Sequence, residues 1–597
     1  MTATPSPWRR TLYAYVPAFD SLRTYNVATA RADLVAGLSV AAVAVPQAMA
    51  YAMIAGLPAQ YGLYTAIVMT TVGALLDSSR QLINGPTNAI SIALLSAIGT
   101  LGGQDERVQA AVLVAFLMGT IQLSISVLRL GDLTRFISHS VIVGFTAGAS
   151  VLLLLDQTKN LLGLKAVGDV HDHFLHRFWQ TITQGGTPHL PTLAIGAASI
   201  ALIFALRWLK RRLNAPLLPE LLIVVLLMAA VVAQFGLADH GVAVVGDIPS
   251  ALPTMQLPNF NAPYLSDLAG SALAIGLLGL LEAISMAKAI ASVTGQKLDM
   301  NQQCLSEALA NVAGSMFQCM PGSGSLTRSA INQQAGGQTQ WSGVISAIAV
   351  AAVMLLFAPY ARFIPRSALA GLLMITAGRM VNFRDLRYHV NASRFDAAIV
   401  ATTAIAAVAI SIEFCVLIGV FMSFLLAVPR MSRMLLTEFV VTADRTIRER
   451  HADDPGCDRI LIFGLEGEMY FGSGASLEQH FDAIEARVLP ATRAVVLRLK
   501  RARNADAVGL SLLQKFIEHL QARGVHVILC GVQEALSERM QNCGLTEIID
   551  ASHIFLEQPV KQTSTVLAVR YAYERLTDFC PTCPRRHDVH APLHYEI

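Results

Sequence analysis

The 597-residue chain is 54% apolar and only 14% charged, and its mean hydropathy is positive, which places the bulk of it in lipid and calls for more than one domain. A net charge of +3 is too small to argue for a nucleic-acid partner, and the chain has no Gly-Lys-Ser/Thr phosphate loop of the kind an ATP-driven pump needs. Its eight cysteines are scattered and give no disulfide framework, which suits a reducing compartment.

Residues 1–33 contain Arg9, Arg10, Arg23 and Arg31 but no compact apolar core ending in a small-residue cleavage site, so they read as a cytoplasmic segment and not as a secretory signal. From Leu34 to about Val428 fourteen apolar segments follow, centred near residues 43, 67, 92, 118, 145, 199, 225, 278, 309, 328, 349, 372, 403 and 421. The segments near 92 and 328 fall well short of the ~20 apolar residues a full crossing needs. Near 92 the chain reads Asn84-Gly85-Pro86-Thr87-Asn88-Ala89, and residues 319–337 are likewise Gly-rich and polar. Broken backbone is tolerated at membrane depth only where protein buries it or where it lines a wet cavity. The second stretch therefore predicts a half-helix beginning near Ser323 to Ser325, with free N–H groups and the positive end of its dipole aimed beyond Pro321.

The two broken segments hold matching ranks, third of the first seven and third of the second seven. That spacing predicts an inverted repeat of seven plus seven, with an anion site between the two half-helix N-termini at the midplane. Sulfate, bicarbonate and carboxylates suit such a site equally, because nothing in the sequence sets its dimensions. Glu282 lies in the apolar run 277–286, where an ionisable group is costly and is a functional candidate by default. It reads as the carrier of a coupling proton, the alternative being a structural ion pair with Arg328 or Lys288.

With the N-terminus inside, Arg80, Arg129 with Arg135, the run Arg207, Lys210, Arg211 and Arg212, then Lys288 with Lys297, Arg379 with Arg384 and Arg387, and Arg430 with Arg433 all fall on the cytoplasmic side. Arg362 and Arg366 are the exceptions. Residues 165–190, with His171, His173, His176 and His189, form the longest external loop and read as solvated in preference to metal-binding. Past Pro429, β-rich runs at 459–463, 494–499 and 525–530 alternate with helical periodicity at 473–488 and 508–522, the pattern of a cytoplasmic α/β domain spanning 438–576. In the tail, 577–597, Cys580, Cys583, His587 and His590 have the ligand types for zinc, but the tight terminal spacing favours a tail without metal. No cofactor and no catalytic residues are expected.

Three stretches carry a resemblance. They are the first-helix run from Asp33 through Val45-Pro46-Gln47-Ala48 to Gly62-Leu63-Tyr64, the Gly85-Pro86-Thr87 segment, and residues 321–337. In these the chain resembles the SulP anion transporter family, also called the solute carrier 26 family, and its C-terminal part looks like a STAS domain. The resemblance implies a fourteen-helix polytopic membrane protein with core and gate domains, secondary transport of small anions by an elevator-like movement, and a homodimer, expected in the cell's inner (plasma) membrane with both termini cytoplasmic; sulfate:proton symport is the first reading, with bicarbonate or dicarboxylate symport, an uncoupled anion exchanger or channel, and a STAS-centred signalling protein on a membrane anchor as the alternatives. It assigns Gln47 and Arg328 to the substrate site, where Thr87, Gly324 and the hydroxyl donors Ser323, Ser325 and Thr327 are also expected, the alternative for one or more of these hydroxyls being a cap on the half-helix. Glu282 matches the carboxylate implicated in proton coupling in plant relatives. Sodium-coupled relatives have an aspartate there and a threonine one turn later, a position that is Met286 in this chain and a poor ligand for a hard cation. The bacterial STAS phosphorylation motif Asp-Ser-Ser-Gly is Asp506-Ala507-Val508-Gly509 here, so the acceptor serine is missing.

Overall fold

A computed structural model describes residues 16–130, 138–168, 172–213, 219–260, 265–410, 412–442, 444–454, 456–558, 563–576 and 593–595. Arg135, His171, Cys580, Cys583, His587 and His590 lie outside the described residues. The chain divides into two compact units between Ser423 and Phe424.

The described residues of the first unit include fourteen helices that match the expected segments in order, two of them half-helices: α1 (Val27–Ile54), α2 (Ala59–Leu76), α3 (Asn88–Ile98), α4 (Gln104–Val127), α5 (His139–Leu162), α6 (Leu190–Arg212), α7 (Glu220–Gln234), α8 (Leu265–Thr294), α9 (Met300–Met316), α10 (Leu326–Gln334), α11 (Trp341–Phe357), α12 (Arg366–Met380), α13 (Arg394–Ala409) and α14 (Ile412–Met431), which runs on into the second unit. Among the described residues, seven helices of the unit are long and apolar enough to cross a membrane outright. Helices α1, α2, α4, α8, α9 and α11 pack on one another, while α5 packs on α12 and α13, and α6 on α12, giving two bundles. Small residues let backbones touch at these crossings. A Cβ on Gly62 of α2 would fall 1.9 Å from the Ala48 carbonyl of α1, and one on Gly144 of α5 would fall 2.6 Å from the Val400 carbonyl of α13.

Helix α1 starts upstream of the expected Leu34, because Asn26 caps it by accepting from the Thr29 N–H at 2.9 Å. Asp33 is thereby inside the helix and buried, where it accepts from the Gln338 and Thr339 amides and the Thr339 hydroxyl. The stretch 165–190 is not loop throughout. It folds a helix, Phe174–Gln184, in which the His173 Nδ1 accepts from the Leu175 N–H at 3.2 Å. An additional short helix, Phe383–Ala392, separates α12 from α13; its ten residues mix arginines with apolar side chains, so no hydropathy peak marks it.

In the second unit a seven-stranded sheet contains β3 (Leu435–Val441), β4 (Thr446–Glu449), β5 (Ile460–Glu468), β6 (Ala494–Arg503), β7 (His526–Val532), β8 (Ile554–Leu556) and β9 (His594–Tyr595), ordered β8-β7-β6-β5-β3-β4-β9. The β5, β6, β7 and β8 neighbours are parallel, as strands joined through helices must be. Strand alternation divides the core. Leu461, Phe463 and Leu465 of β5 face a layer with α15 (Gly474–Arg487) and α16 (Ala507–Ala522), where Phe481 stacks on Phe516 at 4.3 Å. Ile460 and Ile462 face Ala568, Val569 and Ala572 of α17 (Thr563–Glu574). The last described residues belong to this sheet: Thr446 pairs with His594 and Ile447 with Tyr595. Asp506 caps α16 by accepting from the Gly509 N–H at 2.9 Å.

Candidate anion site

The two half-helices meet through a structure too small to leave a periodic signal in the sequence. Two-residue strands β1 (Asn84–Gly85) and β2 (Ser323–Gly324) pair antiparallel, Asn84 opposite Gly324 and Gly85 opposite Ser323. Each strand then runs directly into its half-helix, with Thr87 capping α3 and Ser325 capping α10. The pairing satisfies backbone groups that would otherwise be bare at membrane depth. It also fixes both helix starts against each other, so that two sets of N-terminal N–H groups are held in one place.

A polar clamp locks this crossing. The Asp77 carboxylate, fully buried, accepts from Gln303 Nε2 at 2.6 Å, Ser306 Oγ at 2.6 Å and Asn84 Nδ2 at 3.2 Å. Asn311 brackets the loop before β2, accepting from the Gly322 N–H at 3.1 Å and donating to the Gly322 carbonyl at 3.2 Å. Ser325 N–H donates to the Ile83 carbonyl at 2.9 Å, and the Ile83 N–H donates to Ser329 Oγ at 2.8 Å. Sequence reading missed Asp77, Gln303, Ser306 and Asn311. Their signal was available, since Asp77 and Asn311 interrupt or end apolar helices where polar groups need partners.

A cavity of about 370 Å³ lies against the half-helix ends. Of the residues expected at the site, Gln47, Thr87, Glu282, Ser325 and Thr327 line it. Gln47 is fully buried, one residue past Pro46 in α1, and neither its Oε1 nor its Nε2 has a hydrogen-bond partner among the described residues. A buried amide left unpaired costs several kcal/mol at most and roughly 1–3 in proteins, so a polar occupant of the cavity is the natural partner for it. Thr87 Oγ1 donates to Glu282 Oε2 at 2.9 Å, bringing the carboxyl of α8 to the N-terminus of α3.

Ser323, Gly324 and Arg328 stand behind the wall. Ser323 Oγ donates to the Gly279 carbonyl at 2.7 Å, and Gly324 approaches α8 so closely that a Cβ would fall 3.0 Å from Ala283 Cα. Arg328 is fully buried and does not snorkel to an interface; its Nη2 donates to the Pro86 carbonyl at 2.9 Å, and its Nε has no partner among the described residues. The guanidinium lies over Gly85, whose φ of +143° and whose missing side chain both permit the approach. No ion pair within 4.0 Å joins Glu282 to Arg328 or Lys288 among the described residues; Glu282 is bonded to Thr87 and Arg328 to Pro86, both at the α3 end. The rest of the cavity lining mixes apolar residues such as Val43, Phe145, Leu278 and Leu281 with polar ones such as Ser39, Tyr51, Asn88 and Thr146, and it includes the charged Lys210, Glu220 and Arg379.

Two half-helices that present their N-termini to one cavity, between two bundles of a polytopic membrane protein, define the architecture of a secondary transporter rather than that of an enzyme. The chain belongs to the sulfate permease family, whose model matches residues 31–403, and a STAS domain model matches residues 451–559. It is 26% identical over 568 residues to sulfate transporter 4.1, chloroplastic, of Arabidopsis thaliana, covering 92% of this chain and 82% of that one. It is 27% identical over 584 residues to low affinity sulfate transporter 3 of Stylosanthes hamata, covering 91% and 89%. The fold is shared with the murine solute carrier 26 family member A9 anion transporter in the inward-facing state, with a TM-score of 0.85, 20% identity and 96% of both chains covered. It is also shared with the transmembrane domain of a cyanobacterial bicarbonate transporter, BicA, with a TM-score of 0.57 and 24% identity over 67% of this chain and 98% of that one.

Proposed function

We propose that the protein is a secondary active transporter of small anions, with sulfate as its leading substrate, and that it moves the anion together with a proton by an elevator-like displacement of one helix bundle against the other. The observation that carries this reading is the crossing of β1 and β2, which aims two helix N-termini at one cavity that is also lined by the α1 amide of Gln47, unpartnered among the described residues. Positive helix ends and amide donors suit an oxyanion. Gln47, Thr87, Ser325 and Thr327 bind the anion directly in this scheme, while Ser323 and Gly324 shape the β2 strand and Arg328 supplies positive charge from behind. Glu282 carries the proton: a neutral acid repels an arriving anion less than a carboxylate does, so proton and anion enter together. Met286, one turn from Glu282 and also in the cavity wall, offers no oxygen to sodium.

The deciding experiment is uptake of labelled sulfate into proteoliposomes with and without an inward proton gradient. Accumulation that needs the gradient supports the proposal; sodium-driven uptake, or no sulfate uptake at all, overturns it. We place the protein in the plasma membrane as a homodimer with both termini cytoplasmic. Every residue lining the cavity precedes Ser423, so deletion of 438–597 is expected to reduce or abolish transport through assembly or rate while anion binding survives.

A further inference from the structure

The cavity has a second polar end, whose charges the positive-inside reading treats only as markers of topology. At the first turn of α7 the nearly buried Glu220 carboxylate accepts from Lys210 Nζ at 3.0 Å and lies 3.5 Å from Arg207 Nε. Arg379, in the last turn of α12, is exposed, lines the same cavity as Lys210 and Glu220, and has no carboxylate within 4.0 Å among the described residues. Of the charged residues that line the cavity here, Lys210 and Arg379 are cations and Glu220 is the carboxylate. Two cations beside one carboxylate leave this part of the cleft net positive, the setting in which a field is focused and anions are drawn in.

Resting on the anion-transport reading above, we propose that Lys210 and Arg379 form an outer anion subsite in this part of the cleft, and that Glu220 is a tethered counter-charge which an arriving oxyanion displaces from Lys210. Arg379 is the group on which the anion first lands. Lys210 is the group it takes over, because a carboxylate already rests there at hydrogen-bond distance and shows that the ammonium can hold an oxyanion. The pathway then runs from there past Val43 and Leu278 to the half-helix ends. Being built on one end of the cavity, the subsite serves one face of the membrane only, the face that carries the basic residues.

The test measures initial rates of labelled sulfate transport from each face of proteoliposomes holding the full chain, at low and at high ionic strength. In the double variant Lys210→Gln with Arg379→Gln, KM on the basic face is expected to rise about tenfold at low salt, with kcat changed less than about twofold and the salt dependence of KM on that face lost. KM measured from the other face stays put and serves as the control for folding. Glu220→Gln is expected to lower KM on the basic face, since the internal competitor is gone, and Glu220→Asp to leave it near wild type. An unchanged KM in the double variant at low salt, or an equal rise on both faces, overturns the subsite while leaving the transport reading intact. Wild-type protein that moves sulfate from neither face overturns the transport reading, and the subsite with it.

Discussion

The half-helices α3 and α10 are alike in backbone and opposite in charge. Each follows a two-residue strand of the same small sheet, each is capped by a hydroxyl, and each aims its N-terminus at the cavity. Beyond the first turn they diverge. The α3 end receives a carboxyl, because its cap Thr87 is bonded to Glu282, whereas the α10 end carries a guanidinium of its own in Arg328. The side chains also cross over, since Arg328 of α10 donates to the Pro86 carbonyl just before α3. An inverted repeat thus provides two equal dipole ends, and single residues on that frame put a carboxyl beside one end and a fixed positive charge on the other.

The largest way to break this asymmetry is at Arg328. Arg328→Ala removes the only fully buried cation among the described residues of the membrane unit, leaves the Pro86 carbonyl without its donor, and opens space beside Gly85. A charge-assisted hydrogen bond contributes roughly 1.5–3 kcal/mol, so sulfate affinity is expected to fall about 10- to 100-fold. Isothermal titration or competition binding measures it. Arg328→Lys restores charge but not the reach to Pro86, and intermediate affinity is expected; wild-type affinity in the alanine variant would show the guanidinium to be a structural strut alone.

Glu282→Gln attacks the other end. The variant keeps a group that can bond Thr87 but cannot ionise, so gradient-driven accumulation of sulfate should vanish while exchange at zero gradient persists at a measurable fraction of the wild-type rate. Both are read in the same proteoliposomes. Uptake in the variant that still follows the pH gradient would remove Glu282 from the coupling.

The paired strands offer a finer comparison through their glycines. A Cβ on Gly85 would meet Arg328 Nη1 at 2.8 Å in a backbone region that L-residues rarely adopt, while one on Gly324 would meet the α8 backbone at Ala283, next to Glu282. Overpacking of this kind costs roughly 1–3 kcal/mol. Gly85→Ala is therefore expected to lower anion affinity about tenfold, and Gly324→Ala to affect proton-driven uptake more than affinity. Equal effects of the two on affinity would mean that the strands act as one rigid block.

These contrasts also explain what the sequence discloses and what it conceals. The fourteen segments and their two short members are legible because apolar runs and Gly-Pro breaks are local signals, and the STAS-like strands are legible from alternation. The β1–β2 pair joins residues 84–85 to 323–324, a contact between distant stretches with no local period to reveal it. Without that pair, Ser323 and Gly324 read as ligands, although the structure turns them to the Gly279 carbonyl and the α8 backbone. Asp77 went unread because its three donors come from residues 84, 303 and 306. Lys210 and Arg379 were counted for topology, and only the fold brings them to one cavity with Glu220.

The smallest expected effects lie at the two caps, and they separate helix capping from coupling. Ser325 Oγ accepts from the Arg328 N–H at 3.5 Å, and Thr87 Oγ1 accepts from the Ile90 N–H at 3.4 Å, so as caps the two are equivalent and each is worth about 1 kcal/mol. Removing either cap loosens one dipole end and should raise KM for sulfate about fivefold. Thr87 alone has a second role, because its hydroxyl proton goes to Glu282 at 2.9 Å. Thr87→Val deletes both contacts at nearly constant volume and is expected to change the pH profile of uptake as well as KM; Thr87→Ser keeps both contacts and should restore the wild-type profile. Ser325→Ala should raise KM with the pH profile unmoved. If Thr87→Val and Ser325→Ala give the same KM and the same pH profile, the bond from Thr87 to Glu282 plays no part in proton transfer, and the asymmetry between the half-helices rests on Arg328 alone.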